Sequence, residues 1–326
     1  MSTINVFFAA LAFAAYLLSH ALAIPPPPLN PRPLVIWHGM GDTYCAPGIL
    51  EFIDMIKQMH PGIFVHSIYI NEKEDEDRKA GWFGNLAEQV ANVSLQLSSI
   101  PELQNGFDAM GFSQGGLFLR AYVEQYNSPP VNNLITFGSP HMGVSDLPIC
   151  KPLDLLCQLA RRATRGGVYS EWAQENLVQA QYFRDPDQMD LYLARNKWMT
   201  TVGNEHPDGL NSTYAKNFAS LNKLVLAQFS EDVTVVPKES AWFGSYAPSN
   251  ENNSASKTII PMWLQPLYIE DRIGLKTIDR RGDLVMWTCE GEHMQLTPKC
   301  WKPLARKYVG QSMVEPEYRQ TVLRVQ

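Results

Sequence analysis

The chain of 326 residues is long for one small domain, but a single large α/β domain carrying an insertion accommodates it. With 45% hydrophobic and 18% charged residues it can fill a core, which excludes a disordered or low-complexity protein. A formal net charge of −6 and the lack of any Lys/Arg run supply no basic field for a phosphate backbone, so nucleic-acid binding is disfavoured.

Residues 1–23 pass from a short polar start through an apolar run, Val6 to Leu18, to Ala21-Leu22-Ala23, the pattern of a cleaved signal peptide. A retained anchor fits less well, because a span needs about 20 apolar residues. No other stretch is long and apolar enough, so no stable membrane span is expected after cleavage. Residues 24–33 form a proline-rich leader, expected to be extended.

A secretory route makes cysteines disulfide material first. Cys150 with Cys157 and Cys289 with Cys300 are close enough in sequence to close small loops, which leaves Cys45 free. Sequons at Asn92, Asn211 and Asn252 permit N-glycosylation, although one or two such triplets arise by chance in a chain of about this length.

The first strand is expected at Leu34–Trp37, delivering the loop His38-Gly39-Met40-Gly41. Ile49, Phe52, Ile53 and Ile56 recur at helical spacing, and residues 63–70 alternate as a strand does. A helix over Leu86, Val90, Val93 and Leu97 follows, then a strand at Phe107–Phe112, a helix from Gln114 to about Tyr126, and a strand at residues 134–137. From about 144 to 221 the alternation lapses into helical, tryptophan-bearing sequence, including residues 171–183, which reads as an inserted cap. Strand character returns at Lys223–Phe229 and 283–287, and a closing helix is expected at 299–309. This order predicts a mainly parallel sheet covered on both faces by helices, with one catalytic domain over 34–309 and an unassigned tail, 310–326.

Gly111-Phe112-Ser113-Gln114-Gly115 matches the G-x-S-x-G elbow, with an apolar strand before it and an amphipathic helix after it, as the α/β-hydrolase fold requires. A serine hydroxyl needs a base, and in this fold a carboxylate and then a histidine follow the serine in the chain. Asp232, just past the strand ending at Phe229, is the preferred carboxylate, with Glu231 its competitor. His293 follows the last strand and is the best base, whereas His20, His60 and His66 read as surface or packing residues. The backbone N–H groups of Met40 and Gln114 are the expected oxyanion donors, with His38 a structural residue of the loop. Gly138-Ser139-Pro140-His141-Met142-Gly143 either borders the pocket or is a plain turn. No histidine set has zinc spacing, so no metal is assigned.

These motifs, taken with Ala241-Trp242-Phe243-Gly244, Asp271 to Lys276, Leu177 to Ala180 and Glu290-Gly291-Glu292-His293-Met294-Gln295-Leu296, closely resemble the palmitoyl-protein thioesterases over roughly residues 33–310. The resemblance implies a triad of Ser113, Asp232 and His293, oxyanion positions at Met40 and Gln114, and an insertion after Gly143 that helps form a fatty-acyl groove. It further implies S-palmitoylated proteins or peptides as substrates, a long-chain fatty acid as product, no cofactor, and a lysosomal, vacuolar or secreted location. The chain departs from the family at Tyr44-Cys45-Ala46, where the family has adjacent cysteines, and it lacks the cysteines of a second family bridge around the elbow. Cys289 and Cys300 then read as a replacement staple. Pro140 stands where the family has glutamine, a difference that bears on the contour of the acyl groove. Two rival readings share these residues: a secreted lipase or carboxylesterase acting on oxygen esters, and a non-enzymatic binding protein on the same fold.

Overall fold

Leu34–Trp37 (β1) sends Val35 and Trp37 into one core cluster and Leu34 and Ile36 into another, so the strand is buried on both faces. It pairs in parallel with Val65–Ser67 (β2) and with Phe107–Phe112 (β3), and β3 pairs in parallel with Val131–Phe137 (β4). Lys223–Phe229 (β5) lies beside β4. A separate antiparallel ribbon joins Ser245–Tyr246 (β6) to Ile259–Ile260 (β7). Leu284–Cys289 (β8) completes the six-stranded sheet in the order β2-β1-β3-β4-β5-β8, parallel throughout. This computed structural model describes residues 31–146, 167–206, 209–249 and 258–311. The chain has the α/β-hydrolase fold, with helices on both faces of the sheet.

One consequence of a parallel sheet is that the carboxyl ends of β1, β3, β4, β5 and β8 share an edge, the place where such sheets bind ligands. Pro47–Met59 (α1) begins with proline at a position that needs no N–H donor, and buries Ile49, Phe52, Ile53 and Ile56. Glu74–Ala80 (α2) precedes Leu86–Ser98 (α3), whose first turn is capped by Asn85 accepting from the Ala87 and Glu88 N–H groups. Gln114–Gln125 (α4) is buried along almost its whole length beneath the segment that joins β4 to β5. In that segment the described helices are Glu171–Asn176 (α5), Val178–Gln181 (α6), Met189–Arg195 (α7), Lys197–Val202 (α8) and Ser212–Ala219 (α9). Pro266–Ile269 (α10) and Leu275–Arg280 (α11) lead to β8, and Pro298–Tyr308 (α12) packs Trp301 and Leu304 on the same core face as α1.

Several elements differ from expectation. The strand in residues 63–70 keeps only Val65–Ser67, half-buried at the edge of the sheet. β4 starts three residues before 134, at Val131, and the 171–183 helix is broken at Leu177, which is extended and bridges Phe83. Cys289 and Cys300 are disulfide-bonded and Cys45 is free, while Cys150 and Cys157 lie outside the described residues. Asn92 is exposed on α3 and Asn211 caps α9; Asn252, the signal peptide and most of the tail lie outside the described residues. Among the described residues no helix is long and apolar enough to cross a membrane, and no group of three metal-ligating side chains occurs.

Candidate active site

The serine turn is shaped by close backbone approach. A Cβ on Gly115 would collide with the Trp37 and His38 carbonyls, and one on Gly116 with Ser139 Oγ, so only glycine lets α4 start this near β1 and β4. Ser113 is held at φ 52°, ψ −126°, a strained conformation for a residue with a side chain. Its N–H donates to the Phe137 carbonyl at 2.8 Å and its carbonyl accepts from Gly116 N–H at 3.1 Å, which ties the elbow to β4 and to the helix.

Past the end of β5 the chain turns through Ser230-Glu231-Asp232. Asp232 Oδ1 accepts from the Thr234 and Val235 N–H groups at 2.8 and 3.0 Å, an Asx turn that aims the other oxygen inward. Asp232 Oδ2 lies 2.6 Å from His293 Nδ1, and His293 Nε2 lies 3.0 Å from Ser113 Oγ. With Nδ1–H donating to the carboxylate, Nε2 is left to accept the serine proton. Glu231, the competing carboxylate, is exposed, and it is Asp232 that meets the imidazole; the Glu231 N–H donates to the Gly291 carbonyl at 2.9 Å. The Cys289–Cys300 disulfide closes the loop that carries His293.

The loop after β1 crosses the serine so closely that a Cβ on Gly39 would stand 3.3 Å from Ser113 Cβ. Buried His38 fastens it, with Nε2 at 3.2 Å from Asp77 Oδ2. Asp77 also accepts from the Tyr44 and Ile70 N–H groups at 3.0 and 2.7 Å. Burial opposes the charge on Asp77, yet His38 and these donors hold its carboxyl below its usual value. The Met40 and Gln114 N–H groups make no hydrogen bond among the described residues. That of Gln114 adds the positive end of α4.

A cavity of about 540 Å³ opens on Ser113 and His293. Its apolar wall comes from Ile49, Phe52 and Met55 of α1 and from Met294, Leu296 and Trp301 at the other side, with Asp42 and Thr234 as polar edges. None of the described residues between 144 and 221 lines it.

A family model described as palmitoyl protein thioesterase matches residues 33–293. Palmitoyl-protein thioesterase 1 of Caenorhabditis elegans is 38% identical over 81% of this chain and 87% of its own length. The chain belongs to the palmitoyl protein thioesterase family. It is a hydrolase, and the chemistry of the family is thioester hydrolysis. Palmitoyl-protein thioesterase 3 of Dictyostelium discoideum is 30% identical over 80% of this chain and 85% of its own length. Lysosomal thioesterase PPT2 of Rattus norvegicus is 29% identical, covering 78% and 79%.

For a member of this thioesterase family, the segment after β4 divides in an unexpected way. A Cβ on Gly138 would stand 3.1 Å from His293 Cε1, so its start touches the imidazole. His141 turns into the core instead, stacked on Phe243 with ring centroids 4.7 Å apart and Nε2 3.0 Å from Thr136 Oγ1. Burial and the Arg120 charge push its pKa well below the usual value, which keeps it neutral. Sequence reasoning also missed Asp77 and the cavity face of α1. The apolar spacing of Ile49 and Phe52 marks a core-facing stripe and carries no sign that its first turns also face a site.

Proposed function

We propose that this chain cleaves long-chain fatty acyl thioesters on protein cysteines through an acyl-enzyme on Ser113. The observation that carries the reading is the continuous hydrogen-bonded relay from Asp232 through His293 to Ser113 beside an apolar cavity. His293 Nε2 takes the serine proton as Oγ attacks the thioester carbonyl, and Asp232 stabilises the imidazolium that forms. The Met40 and Gln114 N–H groups receive the oxyanion. Collapse of the tetrahedral intermediate breaks the C–S bond, and the sulfur leaves with the imidazolium proton. A thiol, with a pKa of about 8.5, needs less help in departing than an alcohol does. Water, deprotonated by the same imidazole, then attacks the acyl-enzyme and releases the fatty acid. The leader sequence and the lysosomal designation of the rat relative support a site of action in the secretory pathway, in the lysosome or its vacuolar counterpart.

Ser113→Ala tests the assignment. Turnover of a palmitoyl thioester should fall on the order of 10⁵-fold with the melting temperature kept, and fluorophosphonate labelling should vanish. Full activity in this variant removes the serine assignment. Matched palmitoyl thioester and oxyester substrates should show preference for the thioester; the opposite preference makes the enzyme a carboxylesterase.

A further inference from the structure

Two side chains of the segment between β4 and β5 reach the expected oxyanion donors from behind. Gln179, on α6, donates from Nε2 to the Gly81 carbonyl at 2.9 Å and to Met40 Sδ at 3.2 Å. The same nitrogen is 3.4 Å from Gln114 Oε1. Tyr182, which ends α6, donates its hydroxyl to that Oε1 at 3.0 Å, and Gln114 Nε2 donates to Gly81 O at 3.0 Å. Gln179 and Tyr182 are both buried. The side chains of Met40 and Gln114 thus meet in one buried polar knot, whose remaining members come from α6 and from the turn after α2.

The orientation of Gln179 is forced. Reversing its amide would set an oxygen against Gly81 O and Gln114 Oε1, so the donor stays where it is, and Gln179 Oε1 is left buried without a partner. The Met40 N–H shares a planar peptide with the Gly39 carbonyl, which accepts from Asp42 N–H at 3.3 Å and lies 3.0 Å from His38 Nδ1; the grip of Gln179 on the Met40 side chain adds a hold from the other side of that peptide, next to the unbranched backbone of Gly41. α6 is in turn fixed to the turn after α2, because Val178 N–H donates to the Trp82 carbonyl at 3.1 Å and Gly84 N–H to the Asn176 carbonyl at 3.0 Å.

We propose that Gln179 and Tyr182 are positioning residues that hold the Met40 and Gln114 peptide groups at the oxyanion, making the hole's geometry dependent on α6. This rests on the assignment of those two N–H groups under acyl transfer by Ser113. The test uses the full chain carrying Tyr182→Phe, Gln179→Leu or Gln179→Glu, with palmitoyl thioester kinetics and inhibition by a long-chain trifluoromethyl ketone, whose adduct carries an oxyanion. Tyr182→Phe and Gln179→Leu should each lower kcat about 10-fold to 100-fold with KM within about 3-fold, and weaken the ketone by the same factor as kcat/KM. Gln179→Glu should regain activity relative to wild type as pH falls, because only its protonated acid can donate to Gly81 O, while the Gln179→Leu ratio stays flat. Tyr182→Phe keeps the ring in place and so decides the matter even where a Gln179 variant fails to fold. A change in kcat below 2-fold in Tyr182→Phe, a loss confined to KM with the ketone unaffected, or a pH-independent Gln179→Glu ratio overturns the proposal. Ser113→Ala is assayed alongside: if it is inactive while Tyr182→Phe is fully active, the positioning role fails and the serine assignment stands.

Discussion

Two buried aspartates at opposite ends of the same sheet are held by different kinds of partner. At the carboxyl edge, Asp232 spends one oxygen on the Thr234 and Val235 N–H groups and the other on an imidazole that itself touches a hydroxyl. At the amino edge, Asp108 accepts from Asn132 Nδ2 at 2.7 Å and Gly310 N–H at 3.0 Å, with Arg32 at 3.9 Å. Burial pushes the Asp108 carboxyl up to about 6 against the pull of these groups. Burial of a carboxylate therefore does not mark chemistry. What separates the pair is that the imidazole bound to Asp232 reaches on to the Ser113 hydroxyl, as the proposed relay requires, whereas the partners of Asp108 tie strand, loop and chain end together.

Breaking the carboxyl end should have the largest effect. In Asp232→Asn, Oδ1 still accepts the two N–H groups, but the amide NH₂ faces His293 Nδ1 and reverses the tautomer, so Nε2 can no longer take the serine proton. We expect kcat to fall about 10⁴-fold in a palmitoyl thioester assay with an unchanged melting temperature; loss of folding in place of activity would erase the contrast between the two ends. Next comes Cys300→Ala, which opens the loop carrying His293. Closing a loop of 11 residues stabilises by about 3 kcal/mol, so the denaturant midpoint should drop markedly, and turnover should decline well below the melting temperature.

The amino end should give the smallest effect, visible in pH dependence alone. Because the folded state holds the Asp108 proton more tightly than the unfolded chain does, this group favours folding below its ordinary pKa, near 4, and that contribution is lost as pH rises through about 6. The swing is no more than about 3 kcal/mol. Denaturant titrations of Asp108→Asn between pH 4 and 7 should lack it, with kcat at any one pH equal to wild type; an identical pH profile would show that another group is responsible.

Much of the site was legible because its signals are local. The elbow lies between a strand and a helix whose apolar patterns are plain, and the chain order of serine, carboxylate and histidine follows from the fold. Asp232 is preferred over Glu231 in the sequence already, but the physical reason is not legible there: both acids sit in one turn, and backbone hydrogen bonds direct Asp232 inward. β4 begins earlier than its apolar run suggested because Asn132 and Asn133 find partners, Asp108 Oδ1 and the Tyr308 carbonyl, far away in sequence. The break at Leu177 has the same origin: it is stabilised by pairing with Phe83, and no glycine or proline in α5 or α6 announces it. Asp77 reads as one more acid in a charged helix, and its hold on the loop after β1 is a purely tertiary property.

The bond between Cys289 and Cys300 joins the last strand of the sheet to the last helix, with His293 between them. Both sulfurs belong to nearly inaccessible residues. A protease that cuts once inside this stretch would therefore produce two polypeptides still linked to each other, neither free to drift away with the imidazole or with the helix. Glu290, Glu292, Gln295, Pro298 and Lys299 are exposed along it, so the bond guards against the consequence of a cut at any of these positions.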